Sequence, residues 1–148
     1  MNIAFTGHRD KTSSDVTLAA LHAEFPEATW VHGGAVGFDS QVAAYAASHA
    51  IPQVVIRPNY DRYGRKAPLI RNRTIVDRAD LLIACYDGRK TGGTFYTIQY
   101  AKRVGTGIRF VDPCNGQHET LGTDKVGTTL DGRSRRCHVV NEDAGASR

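Results

Sequence analysis

Residues 29–50 read TWVHGGAVGFDSQVAAYAASHA, and this stretch decides the fold. Its first four residues, TWVH, are β-capable, with Trp30 and Val31 apolar. Its last thirteen, FDSQVAAYAASHA, are alanine-rich and helical, with Asp39 or Ser40 near the start. Between them lie Gly33, Gly34, Ala35 and Gly37. A strand that passes through glycines into a helix is the repeating unit of a doubly wound α/β sheet. Backbone N–H groups in such a turn point the same way as the helix dipole, so the turn can hold an anion.

The same unit recurs on both sides. NIAFT (2–6) is a strand, followed by a helix over 13–25 with Ser13 or Ser14 as N-cap. QVVIR (53–57) is a third strand and residues 57–68 form a loop marked by proline, asparagine and glycine. A helix over 69–79, a strand over 80–86, a helix over 94–104 and a strand over 107–113 complete the pattern. Five strands alternating with helices predict a doubly wound, Rossmann-like parallel sheet in one domain. That domain spans residues 1–112. Residues 113–148 are polar and glycine-rich and are expected to form a flexible extension, with a hairpin-turn signal in LDGR (130–133).

The 148 residues are 41% hydrophobic and 23% charged, an ordinary globular balance. The formal charge of +4 suits an anionic ligand, although much of it lies in GRSRRC near the end. No apolar run is long enough to span a bilayer, and MNIAFTGHRD lacks the features of a signal peptide, so a cytoplasmic location without membrane contact is expected. Three scattered cysteines argue against a disulfide framework. Cys114, His118, Cys137 and His138 do not have the spacing of a zinc site, and neither metal nor cofactor is expected.

In a doubly wound sheet, ligands bind beyond the carboxyl ends of the strands. Three turns there are chemically unusual. Gly7, His8 and Arg9 follow the first strand, and Gly33 to Asp39 follow the second. Gly92, Gly93 and Thr94 open the last helix. Neither glycine turn has Walker or dinucleotide-fingerprint spacing. Arg71 and Asn72 begin another helix, where arginine can bind phosphate bidentately.

Together these turns resemble the SLOG superfamily, which includes DprA and the "lonely guy" phosphoribohydrolases. HGGAVGFDSQVA is similar to DprA's glycine turn and RNRTI to its arginine–asparagine–arginine segment. FTGHR is closer to the small stand-alone YspA and YpsA type. The resemblance implies a Rossmann-like domain that binds a nucleotide-like molecule, and homodimers, for which the alanine-rich QVAAYAASHA face is suited. Phosphate is expected on Gly33, Gly34, Ala35 and Gly37, and on Gly92, Gly93 and Thr94. Arg71 pairs with the same anion, Asp39 and Asn72 lie beside it, and Gly7 to Arg9 line the ribose or base.

The phosphoribohydrolases place a glutamate where this chain has Thr97, whereas Arg71 falls on their active-site arginine. Three readings therefore stay open. The first is a nucleotide-binding sensor or processing module. The second is a nucleotide N-glycosidase with a relocated carboxylate, drawing on Arg71, Asp39 or Asp87. The third is a DprA-like binder of single-stranded DNA, using the tyrosines and arginines of residues 57–66.

Overall fold

The computed structural model describes residues 1–113 and 139–141. Strands β1 (Asn2–Gly7), β2 (Thr29–His32), β3 (Gln53–Val55), β4 (Leu81–Cys85), β5 (Gly107–Val111) and β6 (Val139–Asn141) form one sheet in the order β3-β2-β1-β4-β5-β6. The first five pair in parallel, as the alternating sequence predicts. The sixth pairs antiparallel with β5, so part of the extension returns to the sheet edge. The LDGR turn, the basic GRSRRC cluster and the cysteine–histidine group lie outside the described residues.

Helices α1 (Asp15–Glu24), α2 (Phe38–Ser48), α3 (Tyr60–Tyr63), α4 (Ala67–Arg78) and α5 (Gly92–Val104) connect the strands. Neighbouring residues of β1 and β4 serve opposite faces, as the period of a strand requires. Ile3, Phe5, Ile83 and Cys85 pack with Leu18 and Leu21 of α1 and Val42, Tyr45 and Ala46 of α2. Ala4, Leu82 and Ala84 pack with Ile75 and Val76 of α4 and Ile98 and Ala101 of α5. Phe5 and Trp30 meet at 4.8 Å between ring centroids and are almost fully buried. Each such side chain contributes roughly 1.5–3 kcal/mol of transfer free energy.

Local chemistry sets the ends. Ser14 caps α1, its hydroxyl accepting from the Val16 N–H at 3.0 Å. The loop predicted over 57–68 contains a helix the sequence reading missed. Asn59 caps α3 by accepting from the Arg62 N–H, and a 3-10 turn over Gly64–Lys66 leads into α4. Nothing in α3 is buried, which leaves no apolar spacing to reveal it. Pro68 in the first turn of α4 costs no hydrogen bond there. Gln41 fastens the β1–α1 loop to α2: its Oε1 accepts from the Ser13 N–H and its Nε2 donates to the Ser13 carbonyl. No helix among the described residues is long and apolar enough to cross a membrane.

Candidate functional site

Strand order reverses between β1 and β4, since the chain winds outward from β1 to β3 and then returns to β4. A cleft of about 420 Å³ opens at the carboxyl ends of these strands. Gly7, His8 and Arg9 come to it from β1, Ala35 and Asp39 from the β2–α2 connection, Arg71 and Asn72 from α4, and Gly92, Gly93 and Thr94 from α5. Gly33, Gly34 and Gly37 do not line it.

The first glycine turn is engaged by the protein's own groups. Asp39, only 8% exposed, folds its Oδ2 back to accept from the N–H groups of Gly33 at 3.1 Å and Ala35 at 3.3 Å. The Gly34 N–H donates to His32 Nδ1 at 3.1 Å. His32 Nε2 lies 2.8 Å from Gln53 Oε1, which fixes the ring hydrogen on Nε2. Three of the four N–H groups expected to receive phosphate, those of Gly33, Gly34 and Ala35, are thus already engaged. The bare backbone admits side chains instead. A Cβ on Gly33 would stand 2.3 Å from Arg71 Nη1. Gly37 has φ +83° and its missing Cβ leaves room for the His8 and Arg9 carbonyls. Gly7, likewise, makes way for Phe38.

Arg71 is half-buried between the turn and the cleft. Its Nη1 donates to the carbonyls of Gly33 at 2.7 Å and Ile56 at 3.3 Å, and its Nε to Asn72 Oδ1 at 2.9 Å. Asp39 Oδ1 is buried and has no hydrogen-bond partner. Burial pushes the Asp39 carboxyl above its ordinary range, against the pull of the Ala35 N–H, the neighbouring His32 ring, the Gly33 N–H and the Arg71 guanidinium.

The second glycine turn is different. Thr91 stands at the N-cap of α5 but its side chain caps nothing. The first N–H groups of a helix have no partner within it. Those of Gly92, Gly93 and Thr94 have none elsewhere among the described residues, and these residues line the cleft. A Cβ on Gly92 would meet no atom, and one on Gly93 only Asn72 Nδ2 at 3.6 Å. Thr97, at the position where the resemblance looks for glutamate, is buried and donates its hydroxyl to the Gly93 carbonyl at 2.7 Å.

A charged chain crosses the mouth. His8, 5% exposed, places Nε2 3.0 Å from Asp87 Oδ1. The Asp87 N–H also lies 3.3 Å from Nε2. One nitrogen cannot donate to the first and accept from the second, and the shorter, charged contact places the hydrogen on Nε2. Burial holds His8 below the ordinary histidine range although Asp87 pulls it upward. Arg89 grips Asp87 at 2.6 Å and reaches Asp10 at 3.3 Å, and its hydrogen bonds hold the Asp87 carboxyl well below the usual carboxylate range. Tyr86 stacks on His8 and donates its hydroxyl to the Arg89 carbonyl.

Other singled-out residues lie elsewhere. Arg73 turns away from the cleft, donating to Tyr96 Oη at 2.7 Å and facing the rings of Tyr96 and Tyr100. Cys85 is inert: burial pushes its thiol up to about 12. Among the described residues no group of three or more His, Cys, Asp or Glu could hold a metal ion. Sequence reasoning missed Gln41, and it placed Arg57 in the 57–66 loop without its approach to the glycine turn. Arg57 Nη1 stands 2.8 Å from where a Cβ on Gly34 would be, a long-range approach with no local signature.

Comparison with known proteins agrees with the resemblance read from the sequence. Residues 1–63 match the YAcAr family, described as the YspA, cpYpsA-related SLOG family. The match takes in β1, the first glycine turn, α2 and β3. The X-ray structure of TM1055, a structural-genomics target, superimposes with a TM-score of 0.54 at 17% identity, covering 72% of this chain and 71% of that one. That likeness bears on the fold alone. No curated protein matches the sequence.

Proposed function

From a chain whose first 63 residues match the YspA, cpYpsA-related SLOG family, we propose that the cleft binds a nucleotide by its phosphate. The anion sits on the N–H groups of Gly92, Gly93 and Thr94, with Arg71 and Arg9 beside it. One observation carries the reading: an uncapped helix N-terminus opens into the cleft at the reversal of strand order. A second supports it: Asp39 Oδ1, buried beside the cleft and unpartnered, is an acceptor for a ribose hydroxyl. Asn72 joins the two by orienting Arg71 while facing Gly93.

The same Asp39 oxygen favours one second reading, hydrolysis of the N-glycosidic bond. Water would attack the anomeric carbon and give its proton to Asp39, and the base would leave with the electrons of the broken C–N bond. A thermal-shift panel of nucleoside monophosphates, each followed by overnight incubation, separates the readings. A nucleotide at a hundred times its dissociation constant adds about 2.7 kcal/mol. Gly93→Val, which meets little protein, is expected to abolish that shift. If nucleotides shift the wild type and Gly93→Val equally, phosphate does not sit on α5. Release of free base, lost in Asp39→Asn, would make the protein a hydrolase.

A further inference from the structure

The arginines around the first glycine turn are unevenly satisfied. Arg71 has five N–H donors, and three are used, on Asn72, Gly33 and Ile56. The two on Nη2 have no partner among the described residues. Arg57 lies outside the cleft lining, with Nη1 against the adjoining residue, Gly34, and none of its donors has a hydrogen-bond partner among the described residues. Arg9, on the cleft wall, is likewise unpaired among the described residues. Asp39, the carboxylate whose charge acts on Arg71, spends one oxygen on the turn.

Burial lowers Arg71 below the ordinary arginine range, Asp39 and Tyr60 oppose this, and the charges of Arg9 and Arg57 lower it further. Like charges gathered about one half-buried guanidinium are unfavourable unless an anion lies among them. A fork of free N–H groups beside a second guanidinium is a receptor for phosphoryl oxygens.

We infer that Arg57 and the free Nη2 of Arg71 form a second phosphoryl subsite, and that the ligand is a nucleoside bearing a pyrophosphate rather than a single phosphate. The inference rests on the cleft reading above. The first phosphate lies on the N-terminus of α5 and the next on the arginine pair, with Arg71 touching both. A pyrophosphate concentrates its charge in one small group, as the cluster about Arg71 demands, whereas a nucleic-acid strand spaces its charges a nucleotide apart.

The test is calorimetric titration of the full chain with the mono- and diphosphates of adenosine, guanosine, cytidine and uridine, with inorganic pyrophosphate and with a short single-stranded oligonucleotide. At least one diphosphate is expected to bind more tightly than its monophosphate by on the order of tenfold or more. In Arg57→Gln that ratio falls toward one, and in Arg57→Lys it is partly kept. Arg57 makes no hydrogen bond among the described residues, so both variants should melt with the wild type, and a shared melting temperature is the control.

Equal binding of mono- and diphosphate, or a ratio untouched by Arg57→Gln, overturns the second subsite and leaves the cleft reading standing. Binding by no nucleotide overturns both. Pyrophosphate alone binding as tightly as the diphosphate would make the pair a free-anion site. An oligonucleotide preferred over every diphosphate, and weakened by Arg57→Gln, would give the arginines to a nucleic-acid strand.

Discussion

The turn at Gly33–Gly37 and the turn at Gly92–Thr94 look alike in sequence: each follows a strand, each is rich in glycine, and each starts a helix. In the first, Asp39 and His32 take the N–H groups, and side chains and carbonyls fill the space that absent Cβ atoms leave. In the second, the N–H groups have no protein partner among the described residues and a Cβ would meet almost nothing. Glycine therefore serves packing at one turn and leaves an open surface at the other. In the proposed reading the anion sits on the second turn, while the first holds Arg71 through the Gly33 carbonyl.

Substitutions that restore a Cβ separate the two turns. Gly37→Ala meets two backbone carbonyls at a positive φ that alanine rarely adopts. It should cost about 3 kcal/mol or more, read as a fall in the midpoint of urea unfolding. Asp39→Ala comes next. It orphans the Gly33 and Ala35 N–H groups, each worth about 1–3 kcal/mol when buried. Loss of a carboxylate whose other oxygen is already unpartnered offsets part of this. Asp39→Asn sharpens the comparison through pH. The folded carboxyl titrates above its unfolded value near 3.8. The wild type should therefore be most favoured over Asp39→Asn below that pH and lose the advantage as pH rises through the folded pKa. A difference profile rising with pH would show the carboxylate held as a stabilised anion. The smallest effect is at the second turn. Gly93→Ala should raise apo stability by about 0.4–1 kcal/mol, since it restricts the unfolded chain and strains nothing.

A pH scan also examines the mouth. Histidine takes up protons below 6.5 when unfolded, and buried His8 resists doing so. Stability should fall as pH drops below 6.5 toward the folded pKa, and His8→Gln should flatten that slope. An unchanged slope would mean that His8 takes up its proton in the folded protein as readily as in the unfolded chain.

Much of this was readable from residues alone. Five apolar strands separated by helices give the doubly wound sheet, and the rule that ligands meet strand ends leads to β1, β4 and α5. Local signals also offered Ser13 or Ser14 as the cap of α1, and the resemblance singled out Arg71, which lines the cleft. The division of labour between the glycine turns was not readable, because it depends on approaches across long separations. Arg71 Nη1 reaches Gly33 over 38 positions, and Gln41 reaches Ser13 over 28. Asp39 carried a partial signal. An aspartate two residues beyond Gly37 can fold back onto its own turn, and Asp39 Oδ2 accepts from the Gly33 N–H. The strand β6 arises from three residues within a polar stretch, too few for a period to emerge.

The most direct measurement is amide NMR of the uniformly ¹⁵N-labelled chain, titrated with the nucleotide that gives the largest thermal shift. The amides of Gly92, Gly93 and Thr94 should show the largest chemical-shift changes, with those of Gly33, Gly34 and Ala35 nearly still. Large changes at Gly33–Ala35 with Gly92–Thr94 silent would mean that phosphate displaces Asp39 and His32 from the first turn, and the assignment of the two turns would be reversed.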